Sequence, residues 1–282
     1  LPSLHDPEAG PEADVPWYQP VGDEVALFEA AWAARLPVML KGPTGCGKTR
    51  FVEHMAARLG PSSHQDAGRD GGIPLVTVSC HEDLTANDLV GRHLLLHDRT
   101  VWNDGPLTRA VREGAICYLD EIVEARRDTT VVIHSLADYR RVLPIEKTGE
   151  MLAAHPDFLL VISYNPGYQS LLKELKPSTL QRFVCLEFGY PAPALEAAIV
   201  AHESGVDSAT AERLAALGQR LRGLDEEALA EGISTRALIH AGQLMMRGIA
   251  PRRACQVAVA SATGDDPDAA EAARQLIDVL LP

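Results

Sequence analysis

The sequence predicts an α/β domain, a parallel sheet covered by helices, followed by a small all-helical domain. Three observations carry this. A glycine-rich loop, KGPTGCGKTR from Lys41 to Arg50, stands between a short apolar run and a helical pattern. Four further apolar runs, PLVTVSC (74–80), ICYLD (116–120), FLLVIS (158–163) and FVCLEF (183–188), are continuous rather than alternating. Strands buried on both faces have this pattern, and helical segments separate several of the runs. From Tyr190 onward no strand pattern remains and alanine-rich helical patterns run to the end.

The elements follow in order. Residues 1–20 are rich in proline and acidic residues and are expected to form a mobile tail, at least before Val15. VALFEAAWAARL, Val25 to Leu36, has apolar residues at helical spacing. VML after Pro37 is a short buried strand, and the loop follows it directly. TRFVEHMAARL then continues as a helix with Phe51, Val52, Met55 and Leu59 on one face. Two stretches interrupt the strand–helix pattern: RHLLLHDRTVWNDG (92–105), a hairpin turning near His97–Arg99, and RRVLPIEKTGEML (140–152), a hairpin turning near Lys147–Gly149. Both are expected as insertions on one edge of the sheet. PAPALEAA begins a hinge, after which helices are expected over 194–203, 208–222, 234–247, 251–262 and 267–280. The expected division is a tail over 1–20, a nucleotide-binding core over 21–190 and a helical domain over 191–282.

Composition excludes some classes. The net charge is −13 and no basic stripe is visible, which disfavours a nucleic-acid translocase and points to protein partners. The longest apolar runs fall far short of a membrane span, and no start resembling a signal peptide is visible, so a cytoplasmic location is expected. The five cysteines lack CxxC spacing; they read as reduced thiols, with Cys80, Cys117 and Cys185 as small core residues. The histidines show no ligand spacing, so no structural metal is expected.

The loop has the full GxxxxGKT string between a strand and a helix, the context that makes it a P-loop. Gly42, Gly45 and Gly47 let backbone N–H groups approach phosphates closely. Lys48 places a point charge at the β/γ oxygens, the Thr49 hydroxyl suits Mg2+, and the helix beginning there turns its positive end to the anion. The nucleotide cradle is thus Gly42, Pro43, Thr44, Gly45, Cys46, Gly47, Lys48, Thr49 and Arg50. ICYLDE delivers Asp120 and Glu121 at the C-terminal edge of a strand, where open α/β sheets bind ligands. Asp120 would hold Mg2+ through water; Glu121 would orient or deprotonate the attacking water, which favours hydrolysis over kinase chemistry. Asn165, directly after a buried strand, either senses the γ-phosphate or belongs to an Asn-Pro-Gly turn. Arg182 ends a short helix before the last strand. Arg236 lies in the first turn of a helix capped by Ser234 or Thr235. A cation there opposes the helix dipole by about 0.3–1 kcal/mol, which suggests an anionic partner; a surface salt bridge is the other reading of either arginine.

Together these motifs resemble an AAA+ ATPase. By that resemblance Lys48 and Thr49 belong to Walker A, Asp120 and Glu121 to Walker B, Asn165 is sensor 1, Arg182 the arginine finger and Arg236 sensor 2. The resemblance implies ATP and Mg2+, a five-stranded sheet ordered 5-1-4-3-2, a helical lid and a homo-hexameric ring. The insertion before the Asp120–Glu121 strand and the hairpin before Asn165 resemble the MoxR branch, and within it the wording WYQPVGDEVALFEAA, KGPTGCGKTRFVEHMA, CHEDLTANDLVGR, DGPLTRAVREGAICYLDEIVEARRDTTVVIH, SYNPGYQS and EGISTR resembles the CbbQ/NirQ/NorQ group, with the CbbQ-like members most similar. That group implies an adaptor with a von Willebrand factor A domain (CbbO-like) and an enzyme client. The client is Rubisco, freed of inhibitory sugar phosphates, for CbbQ-like members, and a denitrification enzyme for NirQ/NorQ-like members. Residues 81–96 contain no Phe, Trp or Tyr, so no aromatic pore paddle is found there, which favours local remodelling over threading. A GTPase is disfavoured because no NKxD-type base reader is present.

Overall fold

The structure, a computed structural model, describes residues 15–60, 72–96, 99–166, 175–223, 232–262 and 267–281. The first part of the chain runs α1 (Glu24–Ala33), β1 (Val38–Lys41), α2 (Lys48–Arg58), β2 (Leu75–Ser79), α3 (Ala86–Val90), β3 (Gly91–Leu96), β4 (Arg99–Asp104) and α4 (Pro106–Glu113). It continues with β5 (Ile116–Asp120), α5 (Arg127–His134), β6 (Val142–Ile145), β7 (Glu150–Ala153), β8 (Leu159–Tyr164), α6 (Pro177–Leu180) and β9 (Val184–Glu187). The C-terminal part is helical: α7 (Pro193–Ser204), α8 (Ser208–Arg222), α9 (Thr235–Met246), α10 (Pro251–Ala258) and α11 (Pro267–Leu280).

The sheet is parallel throughout, ordered β2-β5-β8-β1-β9. Numbering only its own strands along the chain gives 5-1-4-3-2, the order the resemblance implies. The three central strands are buried along nearly their whole length, whereas β2 and β9 alternate in exposure as edge strands do. Alternate residues therefore feed two cores. Val38, Leu40, Ile116, Tyr118 and Val161 face Phe28, Phe51 and Met55 of α1 and α2. Met39, Cys117, Leu119, Leu160 and Ile162 face Leu107, Val111 and Ile133 of α4 and α5. The apolar stripe of α2 predicted from sequence, Phe51, Val52, Met55 and Leu59, is the face packed on the sheet. Helices α7–α11 gather a separate core around Leu214, Leu217, Leu238, Cys255 and Ile277.

The first helix ends earlier than its pattern suggests. It stops at Ala33, and Arg35 turns to a φ of 58°. Leu36 precedes proline, which bars it from helical geometry. Residues 15–20, grouped by sequence with the tail, are packed rather than free: the Tyr18 ring lies 5.3 Å from that of Phe51, and His54 Nδ1 lies 2.9 Å from the Pro16 carbonyl oxygen. The reason is aromatic content, since Trp17 and Tyr18 bury area that a proline-rich tail lacks. Residues 1–14 lie outside the described residues. Both expected hairpins form, β3–β4 and β6–β7, and neither joins the five-stranded sheet. The turn of the second spans 146–149; residues 97–98 of the first lie outside the described residues. Arg112 of α4 holds the two together, 2.9 Å from Asp104 of β4 and 2.8 Å from Glu150 of β7.

Candidate active site

Strand β1 ends at Lys41, and residues 42–47 wrap before α2 begins at Lys48. Gly45 and Gly47 take left-handed φ values of 70° and 101°, open to glycine at no steric cost. Lys48 is only 9% exposed, and its ammonium donates to the carbonyls of Gly42 and Pro43, 2.8 Å each. These carbonyls hold the charge at the loop's inner side. The Asn165 amide donates to Thr44 Oγ1 at 2.9 Å, so the residue is tied to the cradle rather than serving only a turn. Burial pushes the Cys46 thiol above its ordinary pKa despite the nearby Lys48.

Across the cavity, β5 ends at Asp120 and Glu121 follows directly. Asp120 Oδ1 accepts the Tyr118 hydroxyl at 2.7 Å and the Ser163 hydroxyl at 2.5 Å. Glu121 adopts φ 57°, ψ 51°, and its backbone N–H donates to Ser163 Oγ at 2.8 Å. Burial, and then the neighbouring Asp120, pushes the Tyr118 hydroxyl up; the same residue reaches the Thr49 hydroxyl. Cys80, buried beside both acids, is pushed up to about 12, chiefly by burial.

One cavity of about 430 Å³ is lined by Thr44–Arg50, Asp120, Glu121 and Arg236. The folded chain thus brings together most of the sequence-predicted site. Asn165 reaches it through Thr44. Arg236 is the second residue of α9, whose N-cap is Ser234, the hydroxyl accepting from the Ala237 N–H at 3.2 Å. Thr235 is no cap; its hydroxyl goes to Glu196 at 2.7 Å. Arg182 stands apart: it is exposed, does not line the cavity, and its guanidinium donates to the Ser178 carbonyl.

The donor set suits ATP and Mg2+. Lys48, Arg236 and the start of α2 offer positive charge to phosphates, while the Thr49 hydroxyl and Asp120 carboxylate are the hard oxygen ligands Mg2+ takes.

Several contributors carry no sequence motif. The Trp17 ring stacks on His202 of α7 at 3.8 Å, and Arg50 pairs with Glu203 of the same helix at 3.0 Å. The Tyr190 hydroxyl donates to the carbonyls of Gly232, at 3.0 Å, and Thr44, at 3.4 Å. The Arg222 guanidinium lies 3.9 Å above the Tyr190 ring and forms a bidentate pair with Glu196 at 2.7 and 2.8 Å. Ser234 sits so close to the loop that a Cβ built on Gly45 would lie 2.5 Å from the Ser234 Cβ. The C-terminal helices therefore form one wall of the cavity.

A parallel sheet ordered 5-1-4-3-2, a P-loop after its first strand in sequence, paired acids at the end of the strand two places away and helices closing the cavity define an AAA+ ATPase. Residues 37–183 match the family model for the AAA domain (dynein-related subfamily), and residues 196–280 match that for the CbbQ/NirQ/NorQ C-terminal region. The chain belongs to the CbbQ/NirQ/NorQ family of MoxR-type AAA+ ATPases. It is 58% identical over 265 residues to "Protein CbbQ" of Hydrogenophilus thermoluteolus, covering 94% of this chain and 95% of that one. "Protein NorQ" of Paracoccus denitrificans is 57% identical over 263 residues, covering 93% of each chain. "Denitrification regulatory protein NirQ" of Pseudomonas aeruginosa is 56% identical over 264 residues, covering 94% of this chain and 97% of that one.

Proposed function

We propose that this ATPase is a cytoplasmic homo-hexameric motor that, with a von Willebrand factor A domain adaptor, remodels Rubisco and releases inhibitory sugar phosphates. Residues 21–190 act as the ATPase core and 191–282 as the lid. The reading is carried by one observation. Lys48, Thr49, Asp120, Glu121 and Arg236 share a cavity, while the exposed Arg182 lies outside it, as a group serving a neighbouring subunit would. Lys48 binds the β/γ-phosphate oxygens, and Arg236 holds the γ-phosphate from the lid. Glu121 orients the attacking water and accepts its proton. Asn165 reads the γ-phosphate through its place beside Thr44. Mg2+, held by Thr49 and through water by Asp120, would supply charge neutralisation at the phosphates. Arg182 of one subunit stabilises the transition state in the next. Hydrolysis then moves the lid against the core, and six such motions act on the client.

The second reading, a NirQ/NorQ-type chaperone for maturation of a denitrification enzyme such as nitric oxide reductase, is favoured by the nearly equal identities of 57% and 56% to those relatives. A pull-down with a Glu121→Gln trap from native cells separates them: recovery of Rubisco supports the first, and recovery of a denitrification enzyme replaces it with the second. Among the described residues no helix is long and apolar enough to cross a membrane.

A further inference from the structure

Ser163 lies near the C-terminal end of the apolar strand β8, is fully buried, and has a hydroxyl that is used twice. It donates to Asp120 Oδ1 at 2.5 Å and accepts the Glu121 N–H at 2.8 Å. The regular pairing of β5 with β8 ends at Leu119 opposite Ile162, so Asp120 and Glu121 lie just past the ladder. There the Ser163 side chain takes over from the strand backbone as hydrogen-bond partner. It does so where Glu121 enters a left-handed conformation that non-glycine residues avoid. That turn leads the chain into the 3-10 helix Ile122–Glu124 and leaves the Glu121 side chain lining the nucleotide cavity. Asp120 Oδ1, taking hydroxyls from both Ser163 and Tyr118, is fixed in rotation. Two residues on from Ser163, just past the end of β8, Asn165 binds Thr44 of the loop. One strand end therefore touches the acid pair and the phosphate cradle together.

We propose that Ser163 is a positioning residue for ATP hydrolysis: it sets the Asp120 carboxylate toward the metal and the Glu121 backbone toward the attacking water. The proposal rests on the roles of Asp120 and Glu121 given above. Alanine at 163 leaves Tyr118 as one donor to Asp120, but it takes the hydroxyl acceptor away from the Glu121 N–H and loosens that turn. Turnover and metal dependence then suffer more than nucleotide binding. Threonine keeps the hydroxyl and restores both.

The test uses the assembled full-length chain carrying Ser163→Ala, Ser163→Thr or Glu121→Gln. Steady-state hydrolysis is measured against ATP and against Mg2+, with binding of a fluorescent ATP analogue and a thermal melt on the same samples. Supporting groups of this kind typically cost about 10–100-fold when lost, so the alanine variant is expected to lose that much in kcat. Its half-saturating Mg2+ rises, its analogue affinity stays within about threefold, and threonine recovers most of the loss. An alanine variant with wild-type kcat and Mg2+ dependence, beside an inactive Glu121→Gln, overturns this proposal alone. A lowered melting temperature with those two quantities unchanged makes Ser163 merely structural and overturns it equally. A Glu121→Gln variant at wild-type rate overturns the role of Glu121 and this proposal with it. Where the alanine variant fails to fold, Ser163→Cys, similar in size but a weak donor, replaces it: reduced kcat with raised Mg2+ demand supports the proposal, and wild-type behaviour overturns it.

Discussion

Replacing Glu196 by alanine tests what holds the C-terminal helices together. Glu196 of α7 has a side chain 1% exposed and faces Arg222 of α8, 14% exposed, through two hydrogen bonds of 2.7 and 2.8 Å. Its carboxylate also takes the Thr235 hydroxyl of α9 at 2.7 Å, while Arg222 donates to the Ile233 carbonyl at 2.6 Å and covers Tyr190. Alanine removes the anion and leaves a guanidinium in a dry site. Losing one partner of a buried pair costs about 3–5 kcal/mol, because the remaining charge loses its counter-ion. In a chain of this length each kcal/mol shifts Tm by about 2–4 °C, so the melt should fall by about 6–20 °C. Glu196→Gln keeps hydrogen-bonding capacity and should lose less. The paired replacement Glu196→Leu with Arg222→Leu should recover much of the loss, since apolar side chains need no solvation. Differential scanning calorimetry on the three variants decides. A fall below 2 °C for the alanine variant, or a double variant less stable than the alanine single, refutes the view that this pair is a desolvated tie between α7, α8 and α9.

Arg182→Ala should keep its assembly by size-exclusion chromatography while ATP turnover drops by about 1,000-fold or more; retained turnover in the assembled variant moves the finger to another arginine, of which Arg112 and Arg140 are already engaged by carboxylates. Burial alone would raise the Glu24 carboxyl, but the N–H groups of Val21 and Gly22 and the Tyr18 hydroxyl outweigh it and hold it below the ordinary 4.5. Such a group stabilises the fold fully above its unfolded pKa and less as pH falls through the folded one. Below 4.5 the wild-type melt should therefore decline more steeply than that of Glu24→Gln, and parallel curves would count against it. Cys80, raised to about 12, should resist alkylation at pH 8 in the folded chain and react after denaturation, read by mass spectrometry. Phe51→Ala, at a ring 0% exposed between α1 and the sheet, should cost about 3–5 kcal/mol in a denaturant melt.

The strands were legible because β1, β5 and β8 are apolar on both faces, and the loop because its glycines and Lys48 stand between a strand and a helix. The sheet order was not a matter of pattern; it came with the family resemblance. Ser163 escaped notice because one serine in FLLVIS looks like a tolerated polar residue, and its partners depend on the register of β5 against β8. The left-handed turn at Glu121 was invisible for the opposite reason, since sequence marks such turns by glycine and this one is held by a hydroxyl. Glu196 and Arg222 sit in alanine-rich helical patterns where charges ordinarily face water; only the packing of α7 on α8 buries them. Trp17 finds His202 across the chain, a pairing no local spacing encodes.

Gly45 has two reasons to remain glycine. Its φ of 70° is one; the other is Ser234, whose Cβ would lie 2.5 Å from any added methyl. Shape alone thus presses the lid against the phosphate loop at this spot, and shape is indifferent to ionic strength. Salt will loosen the Arg50–Glu203 pair nearby, but this abutment persists. A single methyl at residue 45 would behave as a shim, propping the lid ajar with every charged group in the cavity still in place.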